Sequence, residues 1–279
     1  MELWLIDKEW SYINRELSLT VLIALSATIT VSCGKNSNIL ITEIGVNPLH
    51  RPSSQPLEAS EFHIQGQYKH LRGDAQGAVA DYTRAIRLNP KFGAAYNSRG
   101  LVHFDTGNRE AAVSDYNQAI IINPNDAEAY NNRGNARAAG GDQSGAIKDY
   151  NQAIKIRPRY ARAYNNRGNA LSAKGDLKGS ILDFNQAIAI NPRYAVAYSN
   201  RGNAYYGEGN YQSAIADYNQ AILINPKFAA AYNNRGNARA AQSDKQGAIA
   251  DLKMAANFFK QQNNQPLYQK VMDNIRELR

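Results

Sequence analysis

The chain repeats one pattern of apolar, small and polar positions every 34 residues from Ala59 onward. Counted from the start of each unit, position 4 is aromatic, position 8 is Gly, and position 27 is Ala in all six units. Position 20 is Ala or Ser, and position 24 is aromatic except in the sixth unit. Five prolines keep the same 34-residue spacing, namely Pro90, Pro124, Pro158, Pro192 and Pro226. The periodicity divides the chain into six units, 59–92, 93–126, 127–160, 161–194, 195–228 and 229–262.

Each unit is expected to form two antiparallel helices, A and B. The small residues at positions 8, 20 and 27 allow the helices to approach closely, and the aromatic residues at positions 4 and 24 fill the space around them. Between the helices a Gly ends helix A in a left-handed conformation, and the following Asp or Asn caps helix B. These pairs are Gly73-Asp74, Gly107-Asn108, Gly141-Asp142, Gly175-Asp176 and Gly209-Asn210.

The pattern resembles the tetratricopeptide repeat (TPR), with its aromatic position 4, Gly at 8, Ala at 20, aromatic position 24 and Pro at 32. The resemblance covers residues 59–262 and implies an all-α fold, a right-handed α-solenoid (superhelix) of six TPR helix-turn-helix repeats. The chain departs from the family at position 7, where Arg replaces Leu in the second to sixth units and Gln65 replaces it in the first. Residues 263–279 carry Leu267, Val271 and Ile275 at helical spacing, which predicts a C-terminal capping helix.

The residues before the repeats predict export and membrane anchoring. Residues 1–32 contain an apolar run of signal-peptide length and form a predicted leader, and residues 33–58 form a predicted flexible tether. Cys33 is the only cysteine and ends a segment, Thr30 to Cys33, that resembles a bacterial lipobox. We therefore expect a lipoprotein lipidated at Cys33, on the periplasmic or extracytoplasmic face of a membrane. An uncleaved anchor, a plain signal peptide and a cytoplasmic location are the alternatives.

Composition leaves little room for catalysis. A single cysteine excludes an internal disulfide, and no Cys/His metal spacing or catalytic triad pattern stands out. His63 and His70 share a helix face, but a third ligand for a metal is missing. We expect no enzyme activity, no cofactor and no metal. The net charge of +8 favours acidic partners, yet the basic residues are too interspersed to indicate nucleic-acid binding.

Two polar sets recur in register. Position 7 holds Arg99, Arg133, Arg167, Arg201 and Arg235, and position 23 holds Asp81, Asp115, Asp149, Asp183, Asp217 and Asp251. A charge between packed helices needs a partner, so these residues are expected to form structural ion pairs. The first repeat has the Asp without the Arg, which favours pairing of each Asp with the Arg of the following repeat. A basic ladder for nucleic acid is the alternative.

The second set is a series of asparagines. Position 5 holds Asn97, Asn131, Asn165 and Asn233, and position 9 holds Asn135, Asn169, Asn203 and Asn237. In the TPR family these positions face the concave groove. The resemblance therefore implies a rail of carboxamides for a peptide backbone, similar to that of the TPR array of the O-linked N-acetylglucosamine transferase. Simple copying of one ancestral repeat is the alternative.

Taken together, these patterns predict a membrane-anchored scaffold that binds proteins or extended peptides in the groove of a TPR superhelix. The alternative function is a basic solenoid that binds a polyanion such as nucleic acid or an anionic surface, whose affinity would fall steeply with salt. The oligomeric state and the identity of the partner are left open by the sequence.

Overall fold

The computed structural model describes residues 57–278, which form thirteen helices and no strands. The prediction of an all-α fold is confirmed. These residues belong to two compact units that divide after Pro90. The predicted leader, tether and lipidation site at Cys33 lie outside the described residues. Within residues 57–278, no helix has both the length and the apolar composition needed to cross a membrane.

The described part of the first unit is one helical pair, α1 (Ala59–Leu71) and α2 (Ala75–Leu88). The helices approach closely because Gly66 on α1 leaves room for the ring of Tyr82 on α2. A Cβ atom on Gly66 would lie only 2.6 Å from that ring. The carboxylate of Asp81 on α2 is fully buried and pairs with Lys69 and Arg84.

The second unit contains five more helical pairs and one final helix. Helix A of each pair begins at position 1 and helix B at position 17 of the sequence repeat. The pairs are α3 (Gly93–Asp105) with α4 (Arg109–Ile122), α5 (Ala127–Ala139) with α6 (Gln143–Ile156), α7 (Ala161–Ala173) with α8 (Leu177–Ile190), α9 (Ala195–Gly207) with α10 (Tyr211–Ile224), and α11 (Ala229–Ala241) with α12 (Lys245–Gln261). The last helix is α13 (Gln265–Glu277).

Neighbouring pairs in the second unit stack in chain order. Each helix packs against the next one along the chain, and the A helices α3, α5, α7, α9 and α11 also contact one another in succession. The core at each step is narrow because it consists of small, fully buried residues at positions 3, 20 and 27 around one large side chain at position 24. The small residues are alanines except Ser180, and the large side chain is aromatic except Leu252. This arrangement makes the second unit an α-solenoid, in which each pair contacts only its neighbours.

The turn inside each of the first five pairs follows the predicted chemistry, and in the sixth pair Ser243 takes the left-handed position of the Gly. Gly73, Gly107, Gly141, Gly175 and Gly209 all have a positive φ between 77° and 89°, the left-handed region that Gly adopts without strain. The next residue caps helix B, as when Asp142 accepts a hydrogen bond of 2.8 Å from the N–H of Gly145. The predicted Gly and Asp or Asn caps are confirmed.

The C-terminal helix closes the last pair. Val271 and Ile275 of α13 are buried against Leu252, Ala256 and Phe259 of α12. Its polar face carries Gln269 and Asp273, which hydrogen bond to each other at the surface. An amphipathic helix of this kind ends the solenoid without leaving an apolar face open to water.

Candidate functional site

The position-7 arginines of helix A form bidentate ion pairs with the position-23 aspartates of helix B. In repeats two to six the Nε and Nη2 atoms of the position-7 Arg donate to the two carboxylate oxygens of the position-23 Asp at 2.5–3.0 Å. The pairs are Arg99–Asp115, Arg133–Asp149, Arg167–Asp183, Arg201–Asp217 and Arg235–Asp251. The aspartates are buried, and the guanidinium groups are largely so.

Each of these pairs lies within one repeat, so the predicted pairing with the following repeat was wrong. Helices A and B of one repeat are antiparallel neighbours, which brings residues 16 apart into contact. In the first repeat, which lacks the Arg, Asp81 pairs instead with Lys69 and Arg84 of the same repeat. The hydrogen bonds to Asp115 raise the pKa of Arg99 above its usual value, despite the opposing effect of burial.

The arginines do connect successive repeats, through asparagines that the sequence reading did not single out. Nη1 of Arg133 donates to Oδ1 of Asn117, which lies on helix B of the preceding repeat. The same bond recurs from Arg167 to Asn151, from Arg201 to Asn185 and from Arg235 to Asn219, at 2.5–2.6 Å. The sequence feature that indicates these bonds is the recurrence of Asn at position 25 in these four repeats.

The ring of the position-4 tyrosine lies under the same guanidinium group. Arg133 stands 5.4 Å from the ring centre of Tyr130, and four other repeats of the second unit have the same contact at 5.3–5.7 Å. A guanidinium that is paired, hydrogen bonded and stacked in this way has little capacity for an external phosphate. The interpretation of these arginines as a structural set is therefore supported over the basic ladder.

Most of the asparagine rail is occupied by hydrogen bonds within the protein. The Nδ2 group of Asn132, Asn166 and Asn200, all at position 6, donates to the position-5 carboxamide of the preceding repeat, which is Asn97, Asn131 and Asn165 respectively. Asn131 and Asn165 are only 3% exposed. The expectation of a continuous open rail was wrong for these two residues, because they hold neighbouring repeats together.

Position 9 is divided between bonded and free carboxamides. Oδ1 of Asn135 accepts from the hydroxyl of Tyr150 and from Asn166, and Oδ1 of Asn203 accepts from Tyr218 and Asn234. Asn233 at position 5 is bonded as well, because it donates to its neighbour Asn234.

Asn169 and Asn237 differ from the rest of the set. Both are half-buried, and neither side chain has a hydrogen-bond partner among residues 57–278. The reason lies at position 24, where Phe184 and Leu252 replace the tyrosine and provide no hydroxyl. Their repeats therefore leave both the donor and the acceptor of a carboxamide available on helix A.

Comparison with known proteins agrees with this architecture. The sequence pattern described as "TPR repeat" matches residues 60–107, 103–139, 134–175 and 168–209, and that described as "Tetratricopeptide repeat" matches residues 195–228. These matches run without a gap over more than half of the chain.

The chain belongs to the tetratricopeptide repeat family.

Solved structures resemble between 58% and 78% of the chain. A TPR protein from Parabacteroides merdae is 25% identical, with a TM-score of 0.64 over 78% of this chain and 86% of its own. MamA is 26% identical, with a TM-score of 0.52 over 58% of this chain and 95% of its own. PilF from Pseudomonas aeruginosa, at 15% identity, shares the fold, with a TM-score of 0.66 over 77% and 97% of the two chains. A search of curated proteins finds no match.

The remaining polar candidates do not form a site of their own. His63 packs against the ring of Tyr82 inside the first TPR unit. In the part of the chain that the structure describes, no group of three or more His, Cys, Asp or Glu side chains could hold a metal ion. Arg159, Arg193 and Lys227 follow the TPR prolines and are exposed in the loops between repeats.

Proposed function

We propose that this TPR protein is a scaffold that binds an extended peptide segment of a partner protein along the A helices of its second unit. TPR proteins are generally scaffolds without catalytic activity. The observation that carries the proposal is the pair of unpartnered, half-buried carboxamides at Asn169 and Asn237. A carboxamide offers one donor group and one acceptor, which matches the N–H and C=O of an extended peptide.

The surroundings of these two residues suit a peptide chain. Ser172 and Ala173 follow Asn169 on α7, and Ala240 and Ala241 follow Asn237 on α11, all of them half-buried or exposed. Small side chains leave space close to the helix backbone. A half-buried polar group without a partner has lost part of its hydration, so a hydrogen bond to a ligand restores what burial removed.

The proposal is tested with peptides selected on the full chain from an unbiased displayed library, measured by fluorescence anisotropy. Asn169→Ala with Asn237→Ala should weaken binding at least fivefold. The matched control changes Gln186 and Gln220 to Ala, which removes two exposed carboxamides from helix B, and should leave affinity within twofold. Equal binding by the parent and the Asn169/Asn237 variant contradicts the proposal.

A single substitution gives a second test that adds a bond. Phe184→Tyr supplies a hydroxyl in the position from which Tyr150 and Tyr218 donate to their own carboxamides. The new hydroxyl should occupy Asn169, so we expect a more stable protein that binds peptide more weakly. A loss of affinity together with a gain in stability cannot be explained by misfolding.

A polyanion ligand is the competing function. The exposed basic residues in the inter-repeat loops, Arg159, Arg193 and Lys227, carry no ion pair in the described residues. Affinity for a polyanion falls steeply with salt, whereas binding through neutral carboxamides changes little. A tenfold or greater loss of affinity between about 50 and 200 mM salt would favour the polyanion.

We further propose that the scaffold is exported and anchored through a lipid on Cys33. The support is the lipobox-like sequence at the end of the apolar leader. Mass spectrometry of the mature protein from a bacterial host should find an N-terminal, acylated Cys33, and Cys33→Ser should abolish the modification. An intact chain with an unmodified Cys33 contradicts the anchor without affecting the peptide-binding proposal.

A further inference from the structure

The loop between α6 and α7 differs from the other loops between repeats in the second unit. In three of them the first residue is Asn, whose Oδ1 accepts a hydrogen bond of 3.1 Å from the N–H two residues later. These residues are Asn123, Asn191 and Asn225. The corresponding residue after α6 is Arg157, which cannot accept that bond. A local loss of this kind without a visible structural gain marks a candidate for function.

A second arginine breaks the pattern at the same place. Arg162 occupies position 2 of its repeat, where the other repeats have Ser, Ala, Glu, Val and Ala. The guanidinium carbons of Arg157 and Arg162 lie 4.8 and 5.5 Å from the ring centre of Tyr160, which is 5% exposed. One buried ring thus stacks with two arginines, at positions 31 and 2, where the other repeats have no arginine.

Neither guanidinium forms an ion pair within residues 57–278. The carboxylates that act on Tyr160 belong to Asp126 and Glu128 at the start of α5. Asp126 is engaged there as a helix cap, accepting from the N–H groups of Glu128 and Ala129. Two guanidinium groups that stack on one ring and have free N–H donors offer an anion hydrogen bonds from both.

We propose that Arg157 and Arg162, held by Tyr160, bind a carboxylate group of the peptide that the scaffold carries. Arginine binds a carboxylate through two parallel N–H donors, and two arginines can share its oxygens. This inference rests on the proposed peptide-binding function and defines its specificity. It assigns an acidic preference to the bound peptide.

The position of the site along α7 predicts the spacing within the peptide. Arg162, Asn165 and Asn169 are three and seven residues apart and therefore share one face of the helix. Seven residues of helix rise about 10 Å, and three residues of extended chain cover about the same distance. The bound peptide carries its carboxylate about three residues from the peptide group that Asn169 contacts.

The repeats themselves supply substitutions that remove the charges while keeping the fold. Arg157→Asn restores the loop residue of the three other repeats, and Arg162→Ala introduces the residue found at Ala94 and Ala230. The matched control, Arg193→Gln with Lys227→Gln, removes two exposed charges from other loops. Circular dichroism confirms that both double variants keep their helical content before binding is measured.

The test measures binding of fluorescein-labelled hexaglutamate and hexaglutamine peptides to the full chain by anisotropy. Amidated hexaglutamate presents side-chain carboxylates only, and hexaglutamine with a free C-terminus presents the terminal carboxylate only. At least one of these should bind the parent more tightly than amidated hexaglutamine does. The Arg157/Arg162 variant should weaken that binding at least tenfold, and the control variant less than threefold.

Two results overturn the proposal. Equal loss in both double variants would show that the peptide responds to net charge alone, and unchanged binding by the Arg157/Arg162 variant would show that no site exists there. Library peptides that depend on Asn169 and Asn237 but ignore Arg157 and Arg162 would leave the peptide-binding function intact and remove this site.

Discussion

The hydroxyl of Tyr150 donates a hydrogen bond of 2.8 Å to Oδ1 of Asn135, across the two helices of one repeat. The bond requires Tyr at position 24 and Asn at position 9 of the same repeat. Some repeats have the Tyr without the Asn, and others have the Asn without the Tyr. In the repeat that contains Tyr116, position 9 is Leu101, which accepts no hydrogen bond, so the buried hydroxyl of Tyr116 has no partner. Asn169 faces Phe184 and lacks the donor. The combination of residues at positions 24 and 9 of a repeat thus determines which polar groups are hydrogen bonded within the protein and which are available to a ligand.

The first prediction compares the two tyrosines. Tyr150→Phe should reduce the free energy of unfolding by about 1 kcal/mol, because it removes a buried hydrogen bond. Tyr116→Phe should change it by less than about 0.5 kcal/mol or increase it, because a buried hydroxyl without a partner contributes only its desolvation cost. Urea unfolding of the full chain measures both. Equal losses would show that the hydroxyl of Tyr116 is bonded in solution.

The second prediction concerns Asp149, which serves two arginines. Arg133 binds both of its oxygens, and Arg137 donates to Oδ2 at 2.8 Å. Asp149→Ala should lower the free energy of unfolding by about 2–4 kcal/mol, because two partly buried cations lose their partner. Asp183→Ala is the matched comparison and should cost less, since its repeat has Leu171 in place of the second arginine. A loss below about 0.5 kcal/mol for Asp149→Ala would indicate a weak, solvent-exposed pair.

The third prediction uses two adjacent glycines at the end of α5. Gly141 has φ = 89°, whereas Gly140 has φ = −85°, in the range of ordinary residues. Gly141→Ala should destabilise the protein by about 1 kcal/mol, because an L residue is strained in the left-handed region. Gly140→Ala should be neutral or stabilise by about 0.5 kcal/mol, because it restricts only the unfolded chain. The midpoint of thermal unfolding should therefore fall for Gly141→Ala and stay unchanged or rise for Gly140→Ala, and an equal fall in both variants would contradict the turn geometry.

The fourth prediction is a pH dependence that arises from Tyr160. Burial raises the pKa of Tyr160 to about 12, above the usual value of 10.0 for the unfolded chain. Below pH 10 the group is neutral in both states and has no effect on stability. Between pH 10 and 12 the unfolded state loses its proton first, so stability falls by up to about 1.4 kcal/mol per pH unit.

Tyr160→Phe is the control for this effect. The variant removes the titrating hydroxyl and keeps the ring that supports Arg157 and Arg162. Urea midpoints measured from pH 9 to 11.5 should fall less steeply for Tyr160→Phe than for the parent. Identical slopes would show that Tyr160 ionises freely in the folded protein.

The local architecture was predictable from the sequence because its causes lie within a few residues of each other. The Gly-Asp or Gly-Asn pairs between helices, the glycine at position 8 and the small residues at positions 20 and 27 each have one conformational role, repeated in at least five of the six copies. Repetition separates these signals from chance, because a single Gly-Asp pair would have had several interpretations. The start of helix B in each repeat was predictable from its Asp or Asn cap alone.

The pairing of polar groups was decided only by the tertiary structure. Arg133 lies 16 residues before Asp149 and 18 residues after Asp115, and both partners are plausible in a repeat array. Antiparallel packing of the two helices in one repeat selects Asp149. The asparagines show the same limit, since six of the eight at positions 5 and 9 are bonded within the protein and Asn169 and Asn237 are not. Periodicity records which residue types recur, but a side chain is free or bonded according to the neighbour that the fold places beside it.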